Sequence, residues 1–543
     1  MLGIRKNTLF VVTFLLSSIV CYAGSIYKVK DYGILPNGED VSDKLTKLTS
    51  QVSRQGGGII LFNEGTYVFG SGLQKDGTPY GTVRLYPNIT YRGVDKTVLK
   101  ANLKGKGFYS LFSTSDNSVE SLVFEGLTFD TYIGSRNRDI NDYRLAIKLH
   151  YCKNVTIRNC KFIHDIGTID TRYNQKQEDK DEGNYRVNGL IVENCIFEAK
   201  VLSDTGYRDI TVFGICAQNV IIRNNHFCVT DKIKKNQKKF FPNCCLEIQG
   251  KDMWIYGNEF RDFTNAIDYT TVDNYDENRN INIYQNNIYC FRGIALWCRA
   301  NQSAKGIRIH DNNFKSACDN PEKRVNGLKG SIVFISHPTG STDGVFSDIS
   351  ITNNVFDYDK TESFYQAQVY NNWIKIPQNK TNTKSGMTFT EFYAAIDLGG
   401  SSACRDNIII LGNTFNGCVF PAIYAGGKNV SSKHLIKGNI FRNCSIGSKY
   451  YIITLSNHCD DFCILDNTII DSGKRSKSDK GKFFTAGWSG LKKEGYSEEE
   501  NIVFKDIVIL NNKVVDENGN SLSIAYESDF TKLDKDKNNI IKN

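Results

Sequence analysis

Charged side chains recur at one position of a repeating strand pattern, where they could do chemistry together. Glu247 and Asp268 occupy that position in successive copies of the pattern. Two carboxylates held one strand apart, at ~4.8 Å, repel each other and need a reason to be there. They could bind Ca²⁺, serve as the carboxylate pair of a glycoside hydrolase, or be neutralised by neighbouring Lys or Arg side chains. The residue types leave all three interpretations open.

Other outward positions of the same strands carry groups that a polysaccharide lyase would need. Such an enzyme requires a cation or metal to neutralise a uronate carboxylate, a base, and an acid for the leaving oxygen. Asp170 could also pair with either Glu247 or Asp268 in a hydrolase. The catalytic candidates are therefore Lys148, His150, Asp170, Arg172, Glu247, Asp268, Arg299 and His337.

Long insertions between the strands add aromatic and basic side chains of the kind that bind sugars. Residues 231–243 combine several lysines with two phenylalanines, and residues 357–393 are rich in Tyr, Phe and Trp. The alternative is solvated decoration packed on the flank of the scaffold. Together with outward strand positions, the insertions give the substrate-binding candidates Lys235, Lys238, Trp297, Trp373, Asp397 and Tyr424.

A recurring six-residue phrase predicts the elements that position these groups. Copies such as IRNCKF, VENCIF, IRNNHF and IHDNNF begin with an aliphatic residue and carry Asn or Cys at the fourth position. A divergent first copy, FEGLTF, starts at Phe124. Units as short as 26 residues with uneven insertions are typical of a solenoid. The fourth positions are Cys160, Cys195, Asn225, Asn258, Asn286, Asn312, Asn354, Asn413, Asn439, Asn467 and Asn512.

Each phrase predicts two strands and the corner between them, and a third strand follows a variable loop. Because an amide can donate and accept, the asparagines suit a corner that stacks on the next turn. Third strands are predicted at residues 145–150, 168–172, 210–216, 245–249, 266–270, 293–297, 331–336, 395–399, 422–425 and 452–456. Alternation directs inward Ile147, Leu149, Ile169, Leu246, Ile248, Ile267, Ile294, Leu296, Ile396 and Ile423.

These patterns predict an all-β fold, a single right-handed parallel β-helix of about 12 coils. Val41, Leu45, Leu48 and Val52 fall on one face of a short N-terminal helix that would cap the first coil. If the coils superimpose, the candidates above share one exposed trough.

The N-terminal segment resembles the signature of the pectate-lyase-like superfamily. It has DYG at residues 31–33, a Gly-plus-acid stretch at 38–40, the predicted helix, GGG at 56–58 and GTY at 65–67, and the resemblance continues to about residue 525. Asn63 and Glu64 stand where that family usually has Pro. The resemblance implies a β-helix acting on polysaccharide. Since the family includes lyases, hydrolases, epimerases and phage tailspikes, the reaction does not follow from it.

The chain begins with the features of a secretory signal peptide. Arg5 and Lys6 precede the apolar run 9–20, which is too short for a membrane span, and Ala23 supplies a small residue for cleavage. The predicted domains are a signal peptide at 1–23, a β-helix at 24–525 with its cap at 24–70, and a tail at 526–543. We expect a secreted or periplasmic protein with no transmembrane segment. A lipoprotein acylated at Cys21 is the alternative.

A formal net charge of +8 favours polyanionic partners, and export favours polysaccharide over nucleic acid. The expected function is cleavage of an acidic, uronic-acid-containing polysaccharide, by β-elimination rather than hydrolysis. The alternatives are a glycoside hydrolase with paired carboxylates and a non-catalytic glycan-binding protein. Glu247 and Asp268 are the expected ligands if Ca²⁺ is a cofactor. Most of the 16 cysteines are expected to be small apolar core residues rather than disulfides.

Overall fold

The computed structural model describes 25 stretches of the chain, beginning at residue 24. These stretches are 24–70, 81–102, 108–114, 119–132, 143–164, 167–171, 187–200, 211–230, 244–263, 265–271, 280–290, 292–298, 302–316, 331–336, 344–358, 394–398, 404–418, 421–425, 431–444, 451–455, 459–471, 482–486, 504–522, 527–529 and 539–542. The predicted signal peptide and Cys21 lie outside the described residues.

The N-terminal cap contains the α-helix expected from the sequence. A single 3₁₀ turn, Val29–Tyr32, precedes helix α1, Ser42–Arg54. The Asp40 carboxylate accepts a hydrogen bond from the Ser42 backbone N–H at 3.0 Å, at the start of the helix. The predicted apolar face of α1 is buried against the first coils. At Gly57, φ is 100° and a Cβ atom would lie 2.2 Å from the Asn88 carbonyl oxygen, so only glycine fits where the chain leaves the helix.

The described strands belong to two hydrogen-bonded parallel sheets, one of 28 strands and one of 14, in which each strand pairs with its counterpart one coil away. The larger sheet is made of two runs of strands, which we call the first and third sheets, and the 14-stranded sheet is the second sheet. The first sheet contains Ile26–Lys28, Gly58–Leu61, Ile89–Arg92, Val119–Glu125, Cys152–Arg158, Val187–Glu193, Thr211–Arg223, Cys244–Tyr256, Ile281–Tyr284, Ser303–His310, Val345–Thr352, Cys404–Leu411, Ser431–Lys437, Cys459–Leu465, Phe504–Leu510 and Ile540–Lys542.

The second sheet contains Gly65–Phe69, Thr97–Ala101, Thr128–Asp130, Lys161–His164, Ile196–Ala199, His226–Val229, Glu259–Arg261, Asn287–Cys290, Asn313–Ser316, Val355–Asp357, Thr414–Asn416, Ile440–Arg442, Thr468–Ile470 and Lys513–Val515. Its 14 strands among the described residues compare with the expected count of about 12 coils. The two additional strands, Gly65–Phe69 and Thr97–Ala101, precede the first copy of the repeated phrase.

The third sheet contains Gly81–Arg84, Phe108–Ser113, Tyr143–Lys148, Ile169–Asp170, Asn265–Thr270, Arg292–Cys298, Ile332–Ser336, Ile396–Asp397, Ile423–Ala425, Ile453–Leu455, Lys482–Ala486 and Glu527–Asp529. Thr211–Arg223 and Cys244–Tyr256 are long enough to belong to both the first and third sheets. All ten predicted third strands are present, and the ten residues predicted to point inward are fully buried. The chain is a right-handed parallel β-helix.

A ladder of buried asparagine side chains follows the corner between the first and second sheets. From Asn258 onward, each Oδ1 accepts from both the backbone N–H and the Nδ2 of the preceding ladder residue, at 2.9 to 3.0 Å. The Asn225 Oδ1 accepts from the Cys195 backbone N–H at 2.9 Å. Because every amide is tied to the next coil, the ladder holds successive coils in one register. It runs without interruption through Asn225, Asn258, Asn286, Asn312, Asn354, Asn413, Asn439, Asn467 and Asn512.

The residue before each ladder position explains why the third letter of the phrase is so often Asn, Asp or Gly. From Asn159 to Asn511 these residues have φ between 53° and 66°, the left-handed region that those side chains tolerate best. Inside the corner, phenylalanine rings stack from coil to coil at 4.5 to 5.0 Å, the spacing of the strands themselves. Backbone turn and core packing therefore repeat together.

The C-terminal end corrects the expectation of a tail after residue 525. Glu527–Asp529 pairs with the third sheet and Ile540–Lys542 pairs with the first sheet, so both strands extend the helix. The 14 cysteines among the described residues are free thiols, most of them buried, as expected for small core residues.

Candidate functional site

Register brings the charged candidates of the third sheet into one line, which we name the outward row. Consecutive coils pair its members directly, and alternation points them away from the core. Lys148, Asp170, Glu247 and Asp268 therefore share one face, as the sequence predicted. The outward row is Arg84, Ser113, Lys148, Asp170, Gly214, Glu247, Asp268, Ala295, Val333, Asp397, Tyr424 and Thr454.

Lys148 and Asp170 form a buried ion pair. The Lys148 Nζ lies 3.0 Å from the Asp170 Oδ2, and the two side chains are only 7% and 6% exposed. Removing either partner would leave the other charge buried and uncompensated. The Lys148 ammonium group therefore neutralises Asp170 in this structure, and its expected role as a cation or base toward substrate stays a prediction.

Glu247 and Asp268 are direct register partners on adjacent strands. Glu247 is partly exposed, and the Gln249 Nε2 donates to its Oε1 at 3.5 Å. Asp268 is 8% exposed, and the Asn265 Nδ2 donates to its Oδ2 at 2.9 Å. Burial raises the pKa of Asp268 to about 6, against the opposing attraction of Arg292 and the hydrogen bond from Asn265. The repulsion of Glu247 adds a smaller upward contribution.

Sequence reasoning missed the residues that surround Asp268. Cys244, Asn265 and Arg292 are successive register partners, each three residues before an outward-row position. All three are buried. Burial raises the pKa of the Cys244 thiol, and the neighbouring Asp268 and Glu247 carboxylates raise it further. If the coil sequences are aligned on the outward row, the position three residues earlier holds Cys244, Asn265 and Arg292 in successive coils. That alignment is the sequence signal that could have identified this buried polar cluster.

A further polar cluster lies at the C-terminal part of the outward row. Asp397 and Tyr424 are register partners, and the fully buried Arg405 interacts electrostatically with both. Burial lowers the pKa of Arg405 to about 10 while Asp397 opposes that shift. Burial and then the Arg405 charge lower the pKa of His434 to about 3, so this imidazole is neutral and exchanges a hydrogen bond with the Ser431 hydroxyl at 3.0 Å.

The remaining candidates divide between the site and parts of the chain that are not described. Trp297 is partly exposed and is the register partner of Thr270, two residues beyond Asp268. The His150 backbone N–H donates to the Thr114 hydroxyl at 2.7 Å, on the side of the site near Lys148. Six candidates lie outside the described residues: Arg172, Lys235, Lys238, Arg299, His337 and Trp373.

The carboxylate pair does not favour Ca²⁺. The ion takes six to eight oxygen ligands, whereas the surroundings of Asp268 include the buried guanidinium of Arg292, whose charge repels a cation. Across the described stretches there is no group of three or more His, Cys, Asp or Glu residues arranged to hold a metal ion.

Comparisons with known proteins identify the fold. No protein family matches the sequence, and neither does any curated protein. The tailspike protein of E. coli bacteriophage HK620 in complex with pentasaccharide is similar, with a TM-score of 0.56 and 12% identity, over 87% of this chain and 79% of that chain. A variant of that tailspike in complex with pentasaccharide has a TM-score of 0.58 at the same identity and coverage.

The likeness is one of fold. A double variant of the same tailspike, with a TM-score of 0.58 and 13% identity over 84% of this chain and 78% of that chain, agrees with the other two. At this level of identity, the role of any residue in the present chain depends on its own surroundings. Within the described part of the chain, no helix has the length and apolar character needed to cross a membrane.

Proposed function

We propose that this protein is a glycoside hydrolase that cleaves a polysaccharide bound along the outward row, with Asp268 as the general acid and Glu247 as the second carboxylate. The observation that carries the proposal is the contrast between two register partners. Asp268 is buried with its pKa raised to about 6, whereas Glu247 is partly exposed to solvent. Glycosidases use such a pair, one carboxyl holding a proton and one ionised.

The spacing favours a retaining reaction. Adjacent strands lie ~4.8 Å apart, close to the ~5 to 5.5 Å between the carboxyl groups of retaining enzymes. In the first step the Asp268 proton moves to the glycosidic oxygen as the bond to the anomeric carbon breaks and Glu247 forms a bond to that carbon. In the second step water attacks the anomeric carbon, Asp268 takes the water proton, and Glu247 leaves as a carboxylate.

The substrate class follows from the surface and from the likeness of fold. Glu247, Trp297 and Asp397 are partly exposed on this face and are available to contact an extended glycan, whereas most other members of the outward row are buried. Trp297, Asp397 and the buried Tyr424 remain the binding candidates on this face. The tailspike with the similar fold binds a pentasaccharide. The formal charge of +8 favours an acidic polysaccharide.

Hydrolysis now takes precedence over the β-elimination expected from the sequence, because of Lys148. A lyase base must be able to approach the proton next to the uronate carboxylate. The Lys148 ammonium is held 3.0 Å from Asp170 in a buried pair, and Glu247 and Asp268 lie three and four coils away from Lys148. Glu247 is partly exposed and is therefore better placed than Lys148 to reach a bound sugar.

The test is incubation with a panel of uronic-acid-containing and neutral polysaccharides, followed by product analysis. We expect new reducing ends without the ultraviolet absorbance of unsaturated sugars. Activity should fall as the pH rises through about 6, because Asp268 then loses the proton that it must donate. Glu247→Gln and Asp268→Asn should each lower the rate by about 10²-fold or more. Glu120→Gln, an exposed carboxylate of the first sheet, is the matched control and should leave the rate unchanged.

Two outcomes would overturn the proposal. Products with unsaturated ends would make the protein a lyase. Retention of oligosaccharides from the panel with no cleavage would make it a glycan-binding protein.

A further inference from the structure

Arg292 is a buried cation without a hydrogen-bond acceptor among the described residues. It begins the strand Arg292–Cys298, is the register partner of Asn265, and is 3% exposed. Its guanidinium carbon lies 6.0 Å from the centre of the Trp297 ring, close enough for a weak cation–π attraction. Its Nε is enclosed and unpaired. Burying a guanidinium in this way costs several kcal/mol unless a nearby anion compensates.

Asp268 is linked to Arg292 through Asn265, which is the register partner of Arg292 and donates to the Asp268 carboxylate at 2.9 Å. The attraction of Arg292 is the largest single influence that lowers the pKa of Asp268. Asp268 Oδ1 is itself enclosed and unpaired within the described structure, while Oδ2 accepts from Asn265. Of the other ionisable neighbours, Glu247 disfavours a negative charge on Asp268, whereas a hydrogen bond from the neutral Cys244 thiol favours it less strongly than Arg292 does. Arg292 is therefore the one charged neighbour in the described site that stabilises the Asp268 carboxylate.

We propose that Arg292 is a positioning residue for Asp268, stabilising the carboxylate that forms when Asp268 gives its proton to the leaving glycosidic oxygen. This inference rests on the proposed function. When the glycosidic bond breaks, the proton moves to the departing oxygen and a negative charge remains in a buried place. Arg292, held over Trp297, lies on the adjacent strand opposite Asn265, the residue that bonds Asp268, and its Nε–H has no competing acceptor among the described residues. The stabilisation is greatest after proton transfer, so it lowers the barrier rather than tightening substrate binding.

The test compares Arg292→Met, which removes the charge, with Arg292→Lys, which keeps it. The titration of Asp268 is followed without substrate, by measuring how the free energy of unfolding in urea depends on pH. Each Arg292 variant is compared with the double variant that also carries Asp268→Asn, and the difference between the two reports Asp268 alone. Arg292→Met should move the midpoint of this titration upward by at least about one pH unit, and Arg292→Lys should restore most of the shift. Arg223→Met, which removes a guanidinium paired with Glu193 on the first sheet, is the control and should not move it.

The activity arm uses the polysaccharide that the panel identifies. Arg292→Met should lower kcat by about 10-fold to 100-fold with little change in KM, and should shift the alkaline limb of the pH–rate profile upward by the same amount as the titration. If Arg292→Met does not fold, Arg292→Gln removes the charge while keeping a polar side chain, and the same shift is expected.

The arms separate the two proposals. An unshifted midpoint with normal turnover would refute the role of Arg292 and leave the hydrolase. A shifted midpoint without turnover on any polysaccharide would refute the hydrolase while confirming that Arg292 controls Asp268. Equal shifts in the Met and Lys variants would also refute the proposed role, because packing and not charge would then be responsible.

Discussion

The buried state of Asp268 predicts a pH-dependent stability that can be measured without knowing the substrate. Its pKa is raised from an ordinary value of 3.8 to about 6 in the folded protein. The folded state therefore holds the proton more tightly than the unfolded state. The resulting stabilisation is complete below about pH 4 and is lost as the pH rises through about 6. The size of the rise corresponds to about 3 kcal/mol.

Asp268→Asn removes this dependence while keeping the size and shape of the side chain. At pH 4 the variant should be nearly as stable as the wild type, because the native carboxyl is then protonated. Between pH 4 and pH 8 the wild type should lose about 3 kcal/mol more than the variant, since only the wild type must bury a charge. Every other titrating group is common to both proteins, so its contribution cancels in the comparison.

The assay is urea unfolding of both proteins at several pH values, together with amide hydrogen exchange of the strand Asn265–Thr270. Hydrogen exchange reports opening at the site itself, which matters in a solenoid whose coils need not unfold as one unit. Asp262→Asn, which removes an exposed carboxylate from the same coil, should follow the wild-type profile. Parallel profiles for wild type and Asp268→Asn would show that Asp268 is solvated, and the proposed division of roles between the carboxylates would then fail.

Three further predictions concern the scaffold and the reaction. Asn286→Ala should lower the free energy of unfolding, measured with urea, by about 2 to 4 kcal/mol, because it leaves the buried backbone N–H of Asn258 without its acceptor. The control Asn287→Ala, at the exposed neighbouring residue, should lower it by less than about 0.5 kcal/mol. Equal losses in the two variants would contradict a structural role for the ladder. Cys195→Asn should raise the thermal unfolding midpoint, because an amide oxygen would replace the Cys195 sulfur, a weak acceptor 3.5 Å from the Cys160 backbone nitrogen. A lower midpoint would show that the corner at Cys195 does not accommodate an amide. Nuclear magnetic resonance of early products should show that the configuration of the anomeric carbon is retained. Inversion would instead favour a more widely separated carboxylate pair, such as Asp170 and Glu247, whose strands lie two coils, about 9.6 Å, apart.

The local sequence was sufficient to predict the scaffold because its determinants recur in every coil. Alternation marks inward residues such as Ile248 and Ile267, and both are fully buried. The asparagine at the fourth position of the phrase bonds its counterpart in the next coil, whatever the length of the insertion between them. Asn354 and Asn413 are 59 residues apart and still hydrogen-bond at 3.0 Å. Insertions therefore leave the register unchanged.

The same local reasoning was incomplete where the first coils and the C-terminal end depart from the phrase. Gly65–Phe69 and Thr97–Ala101 lack the ladder residue, and Glu527–Asp529 lies in a segment rich in Lys and Asp. These strands form because a neighbouring coil offers them an open sheet edge. The local sequence pattern does not show which strand of an adjacent coil will pair with such a segment.

By itself, the sequence predicted that Lys148, Asp170, Glu247 and Asp268 share one face, because strand alternation and one repeated corner set both the direction and the stacking of the side chains. Only the tertiary structure decided what each residue can do there. Lys148 and Asp170 neutralise each other, whereas Asp268 is buried beside Arg292 and keeps its proton to about pH 6. The physical reason is that protonation depends on burial and on charges from adjacent coils. Those groups lie within a few ångströms in space but 20 or more residues away in the chain.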